Sequence, residues 1–120
     1  MNGTNLDHTL NALADPTRRA ILKLLTNGEA RVTEVAKPFP ISLNSVSKHI
    51  RILERARLVR RRRSGREHLL SFDPAPLDEA ISWLTTQRAF WMNSLDAMDQ
   101  LLRSEDQTNS RSQSKRKGTR

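Results

Sequence analysis

The chain has 120 residues, no cysteine, and 21 Lys+Arg against 13 Asp+Glu, a net charge of +8. That length fits one domain, and the lack of thiols excludes disulfides, thiolate metal sites and cysteine nucleophiles. No apolar run approaches the roughly 18 residues of a membrane span and no basic-then-apolar leader opens the chain, so the expectation is a cytoplasmic domain with no membrane contact and a polyanionic partner.

Leu6, Leu10 and Leu13 recur at i, i+4 and i+7 and predict a short first helix. Asp15-Pro16 predicts the start of a second, because Asp accepts orphan backbone N–H groups and Pro fits the first helical position. Ala20, Ile21, Leu24 and Leu25 form its apolar face, and Asn27-Gly28 ends it. Thr33 is the expected N-cap of a short third helix carrying Val35 and Ala36, which Pro38 and Pro40 stop. Ser42 caps a fourth helix, Leu43 to about Ala56. Its apolar face is Val46, Ile50 and Leu53, and a polar stripe of Asn44, Lys48, Arg51 and Arg55 lies roughly opposite. Ser45 and Ser47 flank the stripe, and His49 lies at its border with the core face.

Beyond Leu58-Val59 come Arg60, Arg61, Arg62 and Arg63, then a Ser64-Gly65 turn, then Arg66 and a strand pattern ending at Phe72. The expectation is a two-stranded hairpin with its tip at Ser64-Gly65 and arginine on both arms, not all of it facing one way. Residues 42–68 hold nine cations against two carboxylates. A charge run is often only a solvated face, but this one coincides with the polar-striped helix and the hairpin.

A last helix is predicted from about Pro76 to Ser104. Leu77, Ile81, Leu84, Arg88, Trp91, Leu95, Met98 and Leu102 are spaced alternately by four and three, a heptad seam interrupted at Arg88. So small a domain cannot easily cover such a helix, and self-association is the economical reading. Core or dimer packing is also the simpler reading of Trp83, Phe90 and Trp91 than an aromatic ligand pocket. From Gln107 on there is no aliphatic or aromatic residue, so a basic tail, 105–120, is expected to be disordered beside a folded domain, 1–104.

The fold class expected is therefore mostly α with a small β-hairpin: a winged helix-turn-helix with a long C-terminal dimerisation helix. An α-helix fits the major groove, where donors on its outer face read base edges, and flanking arginines hold phosphates. The DNA-binding candidates are Asn44, Ser45, Ser47, Lys48, His49 and Arg51 on the helix and Arg62, Arg63 and Arg66 on the wing.

The stretch Leu13-Ala14-Asp15-Pro16-Thr17-Arg18-Arg19-Ala20-Ile21-Leu22 resembles the second-helix motif of the ArsR/SmtB family of bacterial transcriptional repressors. Ser45 through Val59 is similar to that family's recognition helix and lead into the wing. The resemblance covers roughly residues 6–72. It implies a homodimeric repressor whose first and last helices form the interface, through Leu6, Leu10, Ile81, Leu84, Trp91, Leu95, Met98 and Leu102. Many relatives sense metals through third-helix cysteines or Asp/His sets on the last helix. Here the third helix has no thiol and the last no histidine, so the resemblance points to a non-metal-sensing branch, with no cofactor, no metal ligands and an effector the sequence does not name. Arg18 and Arg19 are read as lying near the DNA backbone or as complementing acidic neighbours. The rival readings are a winged module for RNA or protein and a non-specific DNA binder. An enzyme is not expected, for want of a phosphate loop or a nucleophile–base spacing.

Overall fold

The computed structural model describes the backbone of residues 3–118 and the side chains of residues 5–108. Its elements run α1 (Gly3–Leu13), α2 (Pro16–Leu25), β1 (Ala30–Arg31), α3 (Val32–Ala36), α4 (Leu43–Arg55), β2 (Val59–Ser64), β3 (Glu67–Phe72) and α5 (Ala75–Gly118). The chain divides into two compact units, Met1–Ser82 and Trp83–Arg120. The first holds the winged helix-turn-helix and the start of α5. The second is the rest of that helix, which carries an Arg103–Asp99 ion pair at i, i+4.

Helix α2 begins as its sequence predicts. The Asp15 carboxylate accepts the Arg18 N–H at 3.0 Å, with Pro16 in the first turn. Helix α4 begins at Ser42, whose hydroxyl accepts the Ser45 N–H at 3.1 Å. Ile21 and Leu25 of α2, Val35 of α3, and Val46, Ile50 and Leu53 of α4 close on Leu58 and Leu70 to make the core. Each such burial contributes about 1.5–3 kcal/mol.

Four local expectations are corrected. The wing has three antiparallel strands in the order β1-β3-β2, not two: Ala30 pairs with Leu70 and Arg31 with Leu69. Two residues are too few to show periodicity, and the partner strand supplies the order. Thr33 does not cap α3. The helix starts at Val32 straight out of β1, with Arg31 at the cap position and no side-chain hydrogen bond there. The hairpin tip is Gly65-Arg66, because Ser64 pairs with Glu67. Gly65 has φ +62° and Arg66 has no positive φ, the pattern of a II′ turn. Arg66 is thus in the turn and not on an arm. The inward face of α1 carries Leu6, Thr9 and Ala12, while Leu10 turns outward. Thr9 is tolerated inside because its hydroxyl donates to the Asn5 carbonyl at 3.0 Å.

Helix α4 ends in a motif its sequence hides. The Leu58 N–H reaches the Leu53 carbonyl at 3.0 Å and the Arg57 N–H the Glu54 carbonyl at 2.9 Å. This is a Schellman cap with Arg57, at φ 63°, where glycine is usual. Helix α5 extends past the Ser104 end its seam suggests. Of the basic tail expected at 105–120, the side chains from residue 109 on lie outside the described residues.

Arg18 is 8% exposed, the one buried charge among the described residues. Its Nε donates to the Ala12 carbonyl at 2.9 Å and its Nη2 to the Asn11 carbonyl at 2.8 Å. Arg19 Nη1 donates to the Leu13 carbonyl at 2.7 Å. Both arginines therefore close the C-terminal carbonyls of α1, which no helical N–H can reach. Arg18→Met should cost about 1–3 kcal/mol in urea unfolding, because it strands the Ala12 carbonyl, while the Asn11 carbonyl keeps the Ala14 N–H at 3.2 Å; an unchanged midpoint would show that Arg18 is dispensable.

The Arg18 N–H, then the charges of Arg18 and His49, hold the Asp15 carboxyl below its ordinary value against the opposing effect of burial. A depressed carboxyl stabilises the fold above the unfolded value of 3.8, and that contribution is lost as the pH falls through the lowered folded value. Asp15→Asn, which still caps, should lose less stability than the parent between pH 7 and pH 3, read by thermal melts across that range. Equal losses would sink the assignment.

Candidate nucleic-acid interface

The two faces of α4 have separate fates. Val46, Ile50 and Leu53 are fully buried, while Asn44, Lys48, Arg51 and Arg55 are exposed. Among the described residues none of these three cations makes an ion pair. Ser45 is half-buried and engaged in the cap, its hydroxyl accepting from Ser42 Oγ at 3.0 Å. Ser47 lines a groove of about 430 Å³ together with Thr33 of α3 and Arg61, Arg66 and His68 of the wing. Helix α4, α3 and the hairpin thus border one concave surface.

His49 differs from its neighbours on the stripe. Its Nδ1 lies 3.3 Å from Arg18 Nη1 and 3.7 Å from Asp15 Oδ2, so the ring is tied to the corner between α1 and α2. Arg18 reaches this ring while capping α1, so one guanidinium joins the end of α1, the start of α2 and the middle of α4.

Strand alternation sorts the wing arginines. Arg60 pairs with Asp73 at 2.7 Å. Arg61 pairs with Glu54 of α4 at 2.8 Å. Arg62 forks onto Glu29, Nε at 2.8 Å and Nη2 at 2.7 Å. That hydrogen bond lowers the Glu29 carboxyl and raises the Arg62 guanidinium. Asp73 is lowered first by the Ala75 N–H and then by Arg60. Arg63 donates Nε to the Gly65 carbonyl at 3.1 Å and pairs with no carboxylate among the described residues, and Arg66 makes no ion pair there either. Of the wing candidates, Arg63 and Arg66 therefore have uncompensated charge, and Arg62 does not. Sequence reasoning missed Glu29, Glu54 and Asp73 as counter-charges, since each comes from a different element.

Of the candidates for self-association, Leu10, Ile81, Leu84, Trp91, Leu95, Met98 and Leu102 are exposed, Leu10 least at 37%. Leu6 is 7% exposed and belongs to the interior. Among the described residues no three His, Asp or Glu side chains gather as a metal site, and no helix is long and apolar enough to cross a membrane.

A helix-turn-helix domain family matches residues 13–62. An HTH-type transcriptional regulator of Mycobacterium tuberculosis, Rv2034, is 38% identical over 82% of this chain and 90% of its own length. The solved ArsR family transcriptional regulator RHA00566 is 38% identical, covers 77% of this chain and 95% of its own, and superposes with a TM-score of 0.72. The chain belongs to the ArsR family of DNA-binding transcriptional regulators. It is not an enzyme. The transcriptional repressor SdpR of Bacillus subtilis is 34% identical over 66% of this chain and 88% of its own length.

For an ArsR-family DNA binder the Glu29–Arg62 fork has a direct consequence. Glu29→Gln removes an anion and releases a wing cation, so duplex affinity at low salt should rise several-fold and the log–log salt slope steepen by about 1 per chain. No change in slope would mean that Arg62 lies out of reach of DNA.

Proposed function

We propose that this ArsR-family chain is a homodimeric, sequence-specific repressor that acts by covering a promoter. One observation carries the reading: the outer face of α4 presents Asn44, Lys48 and Arg51 without ion pairs among the described residues while its inner face is locked in the core. Asn44, Ser47, Lys48 and Arg51 face base edges and their flanking phosphates in the major groove. Arg63 and Arg66 at the hairpin tip hold the neighbouring backbone. Ser45 and His49 position the helix, and Arg62 joins the contact on release from Glu29.

Dimerisation is supported by the exposed apolar seam of α5, too large a patch for a solitary soluble chain. It is supported too by a solved winged helix-turn-helix DNA-binding domain of Mycobacterium bovis, 28% identical with a TM-score of 0.56, which is homodimeric. A two-fold dimer sets two recognition helices about one helical turn, ~10 bp, apart or a multiple of it. Repression is the role of the similar SdpR. Residues 1–104 act as the DNA-binding and dimerising domain. The segment 105–120, with five cations against two carboxylates, adds non-specific phosphate contacts. The protein works in the cytoplasm, without a metal cofactor, as a non-metal-sensing branch of the family; the absence of cysteine from the whole chain supports this.

Selection of bound duplexes from a random pool, with the mass of the complex measured in the same buffer, tests the reading. The expected result is an enriched inverted repeat bound by a dimer. Lys48→Ala should then weaken operator binding by about 1–3 kcal/mol and non-specific binding by less. Enrichment of no sequence, or preferential competition by RNA, would overturn sequence-specific repression.

A further inference from the structure

We propose that a cleft at the C-terminal end of α4 binds a small zwitterion of the amino-acid class, its carboxylate held by Arg55 and Arg57 and its ammonium by Glu79. This site is separate from the DNA-reading surface and does not rest on the repressor or dimer readings.

The cleft measures about 710 Å³ and lies wholly within the first compact unit. That is the size of a site for a small metabolite. Its lining comes from α1, the end of α4, the start of β2 and the start of α5, and Val59 and Pro76, both buried, supply apolar surface. The charges inside it do not cancel. Glu54 is taken by Arg61 at 2.8 Å and Asp73 by Arg60 at 2.7 Å. Arg55 and Arg57 are exposed, and neither side chain makes an ion pair or hydrogen bond among the described residues. Glu79 has only the Asn5 amide, at 3.5 Å, the outer limit of a hydrogen bond. Two guanidiniums at the end of α4 and one carboxylate on α5 thus share a cleft without strong partners. A ligand that matches them carries an anion and a cation. A plain dianion would leave Glu79 facing like charge, and a diamine would meet the two guanidiniums.

The backbone at Arg57 is a second, independent sign. Arg57 occupies the glycine position of the α4 cap at φ 63°, a conformation that strains a side chain and suits glycine. Strain of this kind gathers at functional sites. Here it places a guanidinium in the cleft that glycine would not supply. The cleft is also clear of the exposed apolar faces. His8, which lines it, is two residues from Leu10 on α1, and Glu79 is two residues from Ile81 on α5. Two residues are about 200° of helix, so a partner seated on Leu10 and Ile81 approaches the opposite side of both helices. A ligand in the cleft is therefore held by the DNA-reading helix and its cap.

The full chain is titrated by calorimetry with each of the common amino acids, with glutarate and with putrescine, all at one ionic strength, and its melting temperature is read in parallel. The expected result is that at least one amino acid binds and raises the melting temperature while glutarate and putrescine do not. Glutarate binding as tightly as the best amino acid leaves Glu79 without a role and overturns the zwitterion. No amino acid binding up to millimolar concentrations overturns the site. Two variants then separate binding from folding. Arg57→Gly should raise the melting temperature of the free chain, because glycine relieves the cap, and weaken the bound amino acid by about tenfold or more. Glu79→Gln should weaken it by about tenfold and leave the free chain's melting temperature where it was. Either variant binding as the parent does overturns the role given to that residue.

Discussion

A buried guanidinium holds the DNA-reading element in place. Arg18 costs desolvation free energy wherever its N–H groups are unmatched. Here they meet the Asn11 and Ala12 carbonyls and the His49 ring, beside the Asp15 carboxylate. Those partners belong to the end of α1, the cap of α2 and the middle of α4. The close-packed apolar face of α4 holds it against the core, and the directional contact of His49 with Arg18 adds a polar constraint on its rotation. The polar stripe of α4 is thereby presented at a set rotation, which base-edge recognition requires.

The positive charge of the chain is of two kinds. Arg60, Arg61 and Arg62 each have a carboxylate within the same compact unit, and exposed pairs of this sort are worth little to stability. Their effect is on the field: they remove three cations from the middle of the wing and leave its tip, Arg63 and Arg66, and the outer face of α4 as the unneutralised surface. The unpaired cations thus lie on α4 and at the hairpin tip, where Ser47, Thr33 and Arg66 share a groove, and not along the arginine run as a whole.

Much of this was legible in the sequence. The spacing of Val46, Ile50 and Leu53 against Asn44, Lys48 and Arg51 shows both faces of α4, and Asp15-Pro16 and Ser42 mark two helix starts that hold in the structure. What was hidden has a common physical character: it depends on partners distant in sequence. Strand β1 exists because Leu69 and Leu70 pair with it. Thr33 loses its capping role because that strand runs straight into α3. Arg18 reads as one more surface cation until α1 ends beside it. The Schellman cap at Arg57 lacks the glycine that would announce it, and Leu10 turns outward because a satisfied Thr9 can take an inward place. The partners of the wing arginines come from three separate elements, and only the alternation along β2 hinted that the run must divide.

The central claim is that the unpaired face of α4 and the wing from Arg62 to the hairpin tip, and no other surface of the first unit, meet DNA. Amide hydrogen exchange of the full chain, free and bound to a selected operator duplex, tests it most directly. The account predicts slowed exchange over residues 43–51 and 63–66, with residues 29–31, beside the paired Glu29, unchanged or faster. Protection confined to α1, or to α5, with residues 43–51 exchanging as in the free protein would contradict it.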